Sequence, residues 1–99
     1  MSKPTYSLPL VKNHVNRLQA RAFSRTAIQG LYDLGMLVSE AIDVINSIVP
    51  SMFHKTMESE LFKGQFQDVY RAYSSEGIPL YVKFSLGPRG NIVVSFKER

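Results

Sequence analysis

Pro79-Leu80-Tyr81-Val82-Lys83-Phe84-Ser85-Leu86-Gly87-Pro88-Arg89-Gly90-Asn91-Ile92-Val93-Val94-Ser95-Phe96-Lys97 is the stretch that decides the fold. Leu80, Val82, Phe84 and Leu86 alternate with Tyr81, Lys83 and Ser85, and Ile92, Val94 and Phe96 alternate with Val93, Ser95 and Lys97. A period of two is that of a half-buried strand. Gly87-Pro88-Arg89-Gly90 between the two runs is a strong turn signal, so the strands form an antiparallel hairpin. Directly opposed residues on antiparallel strands point to the same side, and the apolar pattern therefore pairs even numbers with even. With Leu86 opposite Ile92, Phe84 faces Val94 and Tyr81 faces Lys97.

Working outward, residues 65–73 are rich in aromatic and β-favouring side chains and read as a third strand, with 74–77 turning the chain into the hairpin. The same parity permits Arg71 opposite Tyr81. The open face of this meander, of three strands at least, then carries Gln67, Arg71, Tyr81, Lys83, Ser95 and Lys97. Asp68 and Tyr70 fall on the inner face, where two polar groups conflict with an apolar core. Upstream, the i, i+4 spacing of Phe53 and Met57 predicts a short helix over 51–58.

The first half has a helical period. Leu8, Val11, Val15, Leu18 and Ala22 recur at spacings of three and four, with Ser7 as a cap and Pro9 in the first turn. A second helix over 26–34 buries Ala27, Ile28, Leu31 and Leu34 and ends at Gly35, a left-handed cap. A third begins at Ser39, places Glu40 in its first turn, buries Ala41, Ile42, Ile45, Ile48 and Val49, and stops at Pro50. Helices covering the apolar face of an antiparallel sheet make the fold class α+β.

With 99 residues and 44% hydrophobic content, the chain is expected to form a single globular domain over 1–99. The lack of cysteine excludes disulfides, a cysteine nucleophile and thiolate-bound metals. No apolar run reaches the ~18–20 residues of a membrane span, and residues 1–9 lack the apolar core of a signal peptide, so a cytoplasmic location is expected. Charge is uneven. Lys3, Lys12, Arg17, Arg21 and Arg25 stand without an acid in the first 25 residues, whereas 26–60 are acidic and 61–99 basic again. The net charge of +4 and pI near 9.6 suit a polyanionic partner.

An open sheet face bearing Tyr, Gln, Arg and Lys is suited to phosphate and single-stranded RNA: cations hold the backbone and the aromatic stacks a base or moves a proton. Solvated lysines that guard a sheet against aggregation give the same pattern. His14 and His54 lie in no metal-binding motif, and His54, beside Lys55, is the better acid–base candidate. No nucleophile elbow, P-loop or dinucleotide fingerprint occurs.

Phe53-His54-Lys55-Thr56-Met57, Gln67-Asp68-Val69-Tyr70-Arg71, Tyr81-Val82-Lys83 and Val94-Ser95-Phe96-Lys97-Glu98 stand in an order and spacing that strongly resemble the MqsR family. Arg25-Thr26-Ala27 and Leu34-Gly35 extend the likeness loosely into the helical half. The resemblance implies a type II toxin, an endoribonuclease that cuts mRNA, with a compact fold related to RelE and YoeB. It implies an active site of Lys55, Gln67, Tyr81 and Lys97, with Arg71 and Lys83 extending the contacts to RNA, and neither metal nor cofactor. It also implies an MqsA-like antitoxin partner with a zinc-binding N-terminal domain and a helix-turn-helix domain. His54 departs from the family pattern, which leads one to expect a phenol-bearing residue there. Two other classes fit the residues: a non-catalytic RNA-binding module, and an interaction domain whose basic surface meets an acidic protein.

Overall fold

The computed structural model describes residues 3–58, 64–87 and 90–99. Among them, three helices, α1 (Leu8–Leu18), α2 (Arg25–Asp33) and α3 (Val38–Ser47), precede four strands, β1 (Phe53–Glu58), β2 (Phe66–Tyr73), β3 (Pro79–Leu86) and β4 (Ile92–Glu98). The strands form one antiparallel sheet in the order β1-β2-β3-β4. The fold is α+β, with the N-terminal helices packed on the C-terminal sheet.

Local chemistry accounts for the helix ends. The Ser24 hydroxyl accepts from the Ala27 amide at 3.0 Å and opens α2 one residue earlier than expected, while Gly35 adopts φ +69° just past its end. α3 starts at Val38, not with Ser39 as its cap: Glu40 reaches back to accept from the Leu37 amide at 2.9 Å. Ser7 is the N-cap residue of α1 but contributes no side-chain bond, and Pro9 lies in the first turn. Past Leu18 the chain tightens into a 3-10 turn, Gln19–Ala22.

The register of the hairpin is the one the sequence implies. Leu86 pairs with Ile92, Phe84 with Val94 and Tyr81 with Lys97, and Arg71 lies opposite Tyr81. Even-numbered Tyr70, Ala72, Leu80, Val82, Phe84, Val94 and Phe96 are buried, and with Val15, Ala27, Leu31, Ile45 and Ile48 of the helical half they make one core. Each fully buried large side chain contributes roughly 1.5–3 kcal/mol. Tyr70 meets Phe84 edge-on at 5.6 Å between ring centres. In the β3–β4 turn the Gly87 amide donates to Asn91 at 2.7 Å, and a Cβ on Gly87 would lie 2.8 Å from Val93 Cγ2, so the turn needs a glycine there. Pro88 and Arg89 of the expected turn lie outside the described residues.

One expectation is corrected. Residues 51–58 do not form a helix: after a 3-10 turn, Pro50–Met52, the chain becomes β1 and pairs along β2. The i, i+4 spacing misled because the segment is too short to display a period, and a bulge between Phe53 and Lys55 breaks its alternation. Phe53 turns inward onto Tyr70 at 5.5 Å, while Lys55 and Met57 pair with odd-numbered Val69 and Gln67. β1 also satisfies the backbone groups β2 would otherwise expose along that edge.

The polar pair on the inner face also has an explanation. Asp68, 1% exposed, accepts from the backbone amides of Thr5 (2.9 Å) and Tyr6 (2.8 Å), tying the segment before α1 to the middle of the sheet. Tyr6 hydroxyl donates to Phe66 carbonyl, and Thr5 hydroxyl lies 3.0 Å from that of Thr56. Burial, with Asp68 nearby, pushes the Tyr70 phenol up to about 12. Replacing Asp68 with Ala strands two amide donors and is expected to cost about 2–4 kcal/mol. Chemical denaturation measures that loss, and faster hydrogen exchange at Thr5 and Tyr6 locates it.

Candidate active site

The two-residue period that buries the even-numbered side chains presents the odd-numbered ones on the opposite face, in cross-strand rows. One row runs Lys55, Val69, Lys83, Ser95, and the next Arg71, Tyr81, Lys97. Neighbouring strands lie about 4.8 Å apart, and successive rows about 7 Å. Val69 is only 2% exposed although it sits on this outer face, in register between Lys55 and Lys83.

The rows enclose a shallow depression of about 200 Å³. His54, Lys55, Tyr81, Lys83 and Lys97 ring it, with Val69 and Met57 supplying apolar surface. Among the described residues, its lining contains no carboxylate. Of the residues singled out from the sequence, Lys55, Tyr81, Lys83 and Lys97 therefore come together at one place. Gln67 stands one row further on, half-buried between Met57 and Ser85 in the ladder, and Arg71 is exposed beside Tyr81. Both share the face without lining the depression.

His54, the acid–base candidate of the sequence, lines the depression too, and the structure adds Arg99 and Tyr73 beside it. The bulge in β1 frees His54 from the ladder, and its imidazole stacks on the Tyr81 ring, 5.8 Å between centres and 19° from parallel. Arg99 holds the other flank. Its amide donates to Pro79 at 3.0 Å and its guanidinium to the Ala72 carbonyl at 2.9 Å, with the guanidinium carbon 4.9 Å from the Tyr73 ring and 5.7 Å from that of Tyr81. Sequence parity carried a signal for Tyr73 and Arg99, since both have the odd numbering of Tyr81 and Lys97. Nothing in the sequence announced the His54–Tyr81 stack, which depends on the bulge.

Electrostatically the site is a concentration of positive charge. Desolvation, followed by the charges of Arg71, Lys55 and Arg99, holds the His54 imidazole below the ordinary histidine value of 6.5. It is therefore neutral at pH 7. A depression of similar size, about 220 Å³, is lined by Glu40 and Asp43 and carries the wrong sign for a phosphate chain. A broader groove between α2 and β4 has a lining of mixed charge, with Arg25 and Lys97 alongside Asp33 and Glu98. Among the described residues, no three His, Cys, Asp or Glu side chains converge as metal ligands.

The fold is thus a helix-backed antiparallel sheet whose open face gathers lysines, arginines and a tyrosine. Over residues 3–98 the chain matches the MqsR toxin family, described as motility quorum-sensing regulator, toxin of MqsA, and it belongs to that family. It is thus a toxin of a toxin–antitoxin system, with an antitoxin as partner. Comparison with curated proteins finds no match. Among the described residues no helix is long and apolar enough to cross a membrane.

The crowding of charge around His54 has a measurable consequence. NMR titration of its ring is expected to give a midpoint below 6.5, and Arg71→Ala is expected to move that midpoint upward by removing a repelling charge. An unchanged midpoint in the variant would mean that Arg71 does not act on the ring.

Proposed function

We propose that this toxin is a cytoplasmic endoribonuclease that cleaves mRNA and so inhibits translation, and that an MqsA-like zinc-binding, helix-turn-helix antitoxin restrains it. The observation that supports this reading is the ladder itself, which sets Arg71, Tyr81 and Lys97 in one row beside Lys55 and Lys83. RNA carries its own nucleophile in the 2′-hydroxyl, so a site that supplies cations and proton transfer can cut it without a metal. The 2′-oxygen attacks the adjacent phosphorus and the bond to the 5′-oxygen breaks, leaving a 2′,3′-cyclic phosphate and a 5′-hydroxyl.

Lys55 and Lys97 bind the scissile phosphate and stabilise the extra negative charge of the transition state, which a preorganised cationic site does better than water. Tyr81 takes part in proton transfer, and Gln67 orients phosphate or ribose by hydrogen bonding. Arg71 and Lys83 hold the flanking backbone, and the small volume of the depression suits a phosphate–ribose unit.

Purified protein incubated with weakly structured mRNA in EDTA is expected to give discrete fragments with cyclic-phosphate and 5′-hydroxyl ends. Lys97→Ala is expected to reduce cutting by at least about a hundredfold while leaving circular dichroism and thermal stability near wild type. Full activity in a folded Lys97→Ala protein would remove Lys97 from the mechanism. RNA that is bound in a salt-sensitive way yet left intact would make the chain a binding module.

A further inference from the structure

We propose that His54 is the general base of this site, accepting the 2′-hydroxyl proton as the 2′-oxygen attacks phosphorus; the inference rests on the ribonuclease reading above and assigns it a proton acceptor. Cleavage by 2′-hydroxyl attack needs one group to take a proton and another to give one to the departing 5′-oxygen. Lysine and tyrosine side chains ordinarily keep their proton up to about pH 10, so they enter a reaction at neutral pH as donors. Lys55, Lys83, Lys97 and Tyr81 are of these types, and Met57 and Val69 offer no basic group. Among the described residues lining the depression, His54 is the one whose ring nitrogen can accept a proton there.

Geometry supports the assignment. The bulge takes His54 out of the β1–β2 register, and the near-parallel stack holds its ring against the Tyr81 ring, so acceptor and phenol donor stand side by side over one depression. The charged and titratable groups facing the imidazole come from every strand: Lys55 on β1, Arg71 on β2, Tyr81 and Lys83 on β3, Lys97 on β4, and Arg99 beyond it. The cations disfavour imidazolium in the resting site and so keep the base ready. As the proton arrives, the phosphate gains negative charge, and the new imidazolium is then balanced.

Protons and bonds close. The 2′-oxygen gives its proton to the imidazole and bonds to phosphorus; the phosphorus–5′-oxygen bond breaks, and that oxygen takes a proton from Tyr81 or a lysine. Exchange with water returns both groups to their starting states.

The test is the pH–rate profile of RNA cleavage between pH 5 and 9 for the wild type, His54→Phe and His54→Ala, with folding checked by NMR. The wild-type rate is expected to fall tenfold per pH unit below a midpoint under 6.5. His54→Phe, which retains an aromatic ring to stack on Tyr81, is expected to be slower by about 10²–10⁴-fold and to lose that acid limb. Free imidazole is expected to restore part of the activity of His54→Ala. If the wild type cuts RNA and His54→Phe matches its rate and pH profile, His54 is not the base, although the ribonuclease reading stands. If the folded wild type cuts no RNA, both fall together.

Discussion

Side chains along an extended strand alternate between its two faces, and the rows of cationic and tyrosine side chains on the open face follow from that constraint. Burying Tyr70, Val82, Phe84, Val94 and Phe96 against the helices leaves the odd-numbered residues no choice but the opposite face. A shift of one residue in any pair would expose this core and bury Lys83 and Lys97 unpaired. The apolar effect that holds the helices on the sheet therefore also sets the positions of charged groups it never touches.

The inner face is not uniformly apolar. Asp68 takes two backbone amides from the segment that leads into α1, so the N-terminal residues are tied to the same strand that supplies Gln67, Val69 and Arg71 to the outer face. A carboxylate buried with two donors directed at it is a satisfied group, and its position inside the sheet is a cross-chain tie. On the outer side, Val69 is the buried apolar residue in register between Lys55 and Lys83.

The positive charges on that outer face repel one another, and a polyanion that binds there relieves the repulsion. Desolvation and, after it, the same field hold the His54 imidazole below its ordinary value, and stacking on Tyr81 gives the ring a defined place. Arg99 completes the arrangement, bonded to Ala72 while its guanidinium borders Tyr73 and Tyr81. Tyr81 thus has both the His54 ring and the Arg99 guanidinium near its own ring.

By itself the sequence determined the three helices, the β2–β3–β4 meander, its register and the residues of its open face, because helix and strand periods are local and two faces of opposite polarity leave one parity. Lys55, Gln67, Tyr81 and Lys97, the proposed catalytic set, were singled out through motif order, and parity placed three of the four on the open face. Only the tertiary structure decided that 53–58 is a strand, since a six-residue segment with a bulge shows no period and takes its conformation from the open edge of β2. It alone brought His54 to Tyr81 and Arg99 to Tyr73, contacts between residues 27 and 26 positions apart. Such contacts depend on the bulge and on where each strand ends, and neither is written in the alternation of polar and apolar residues.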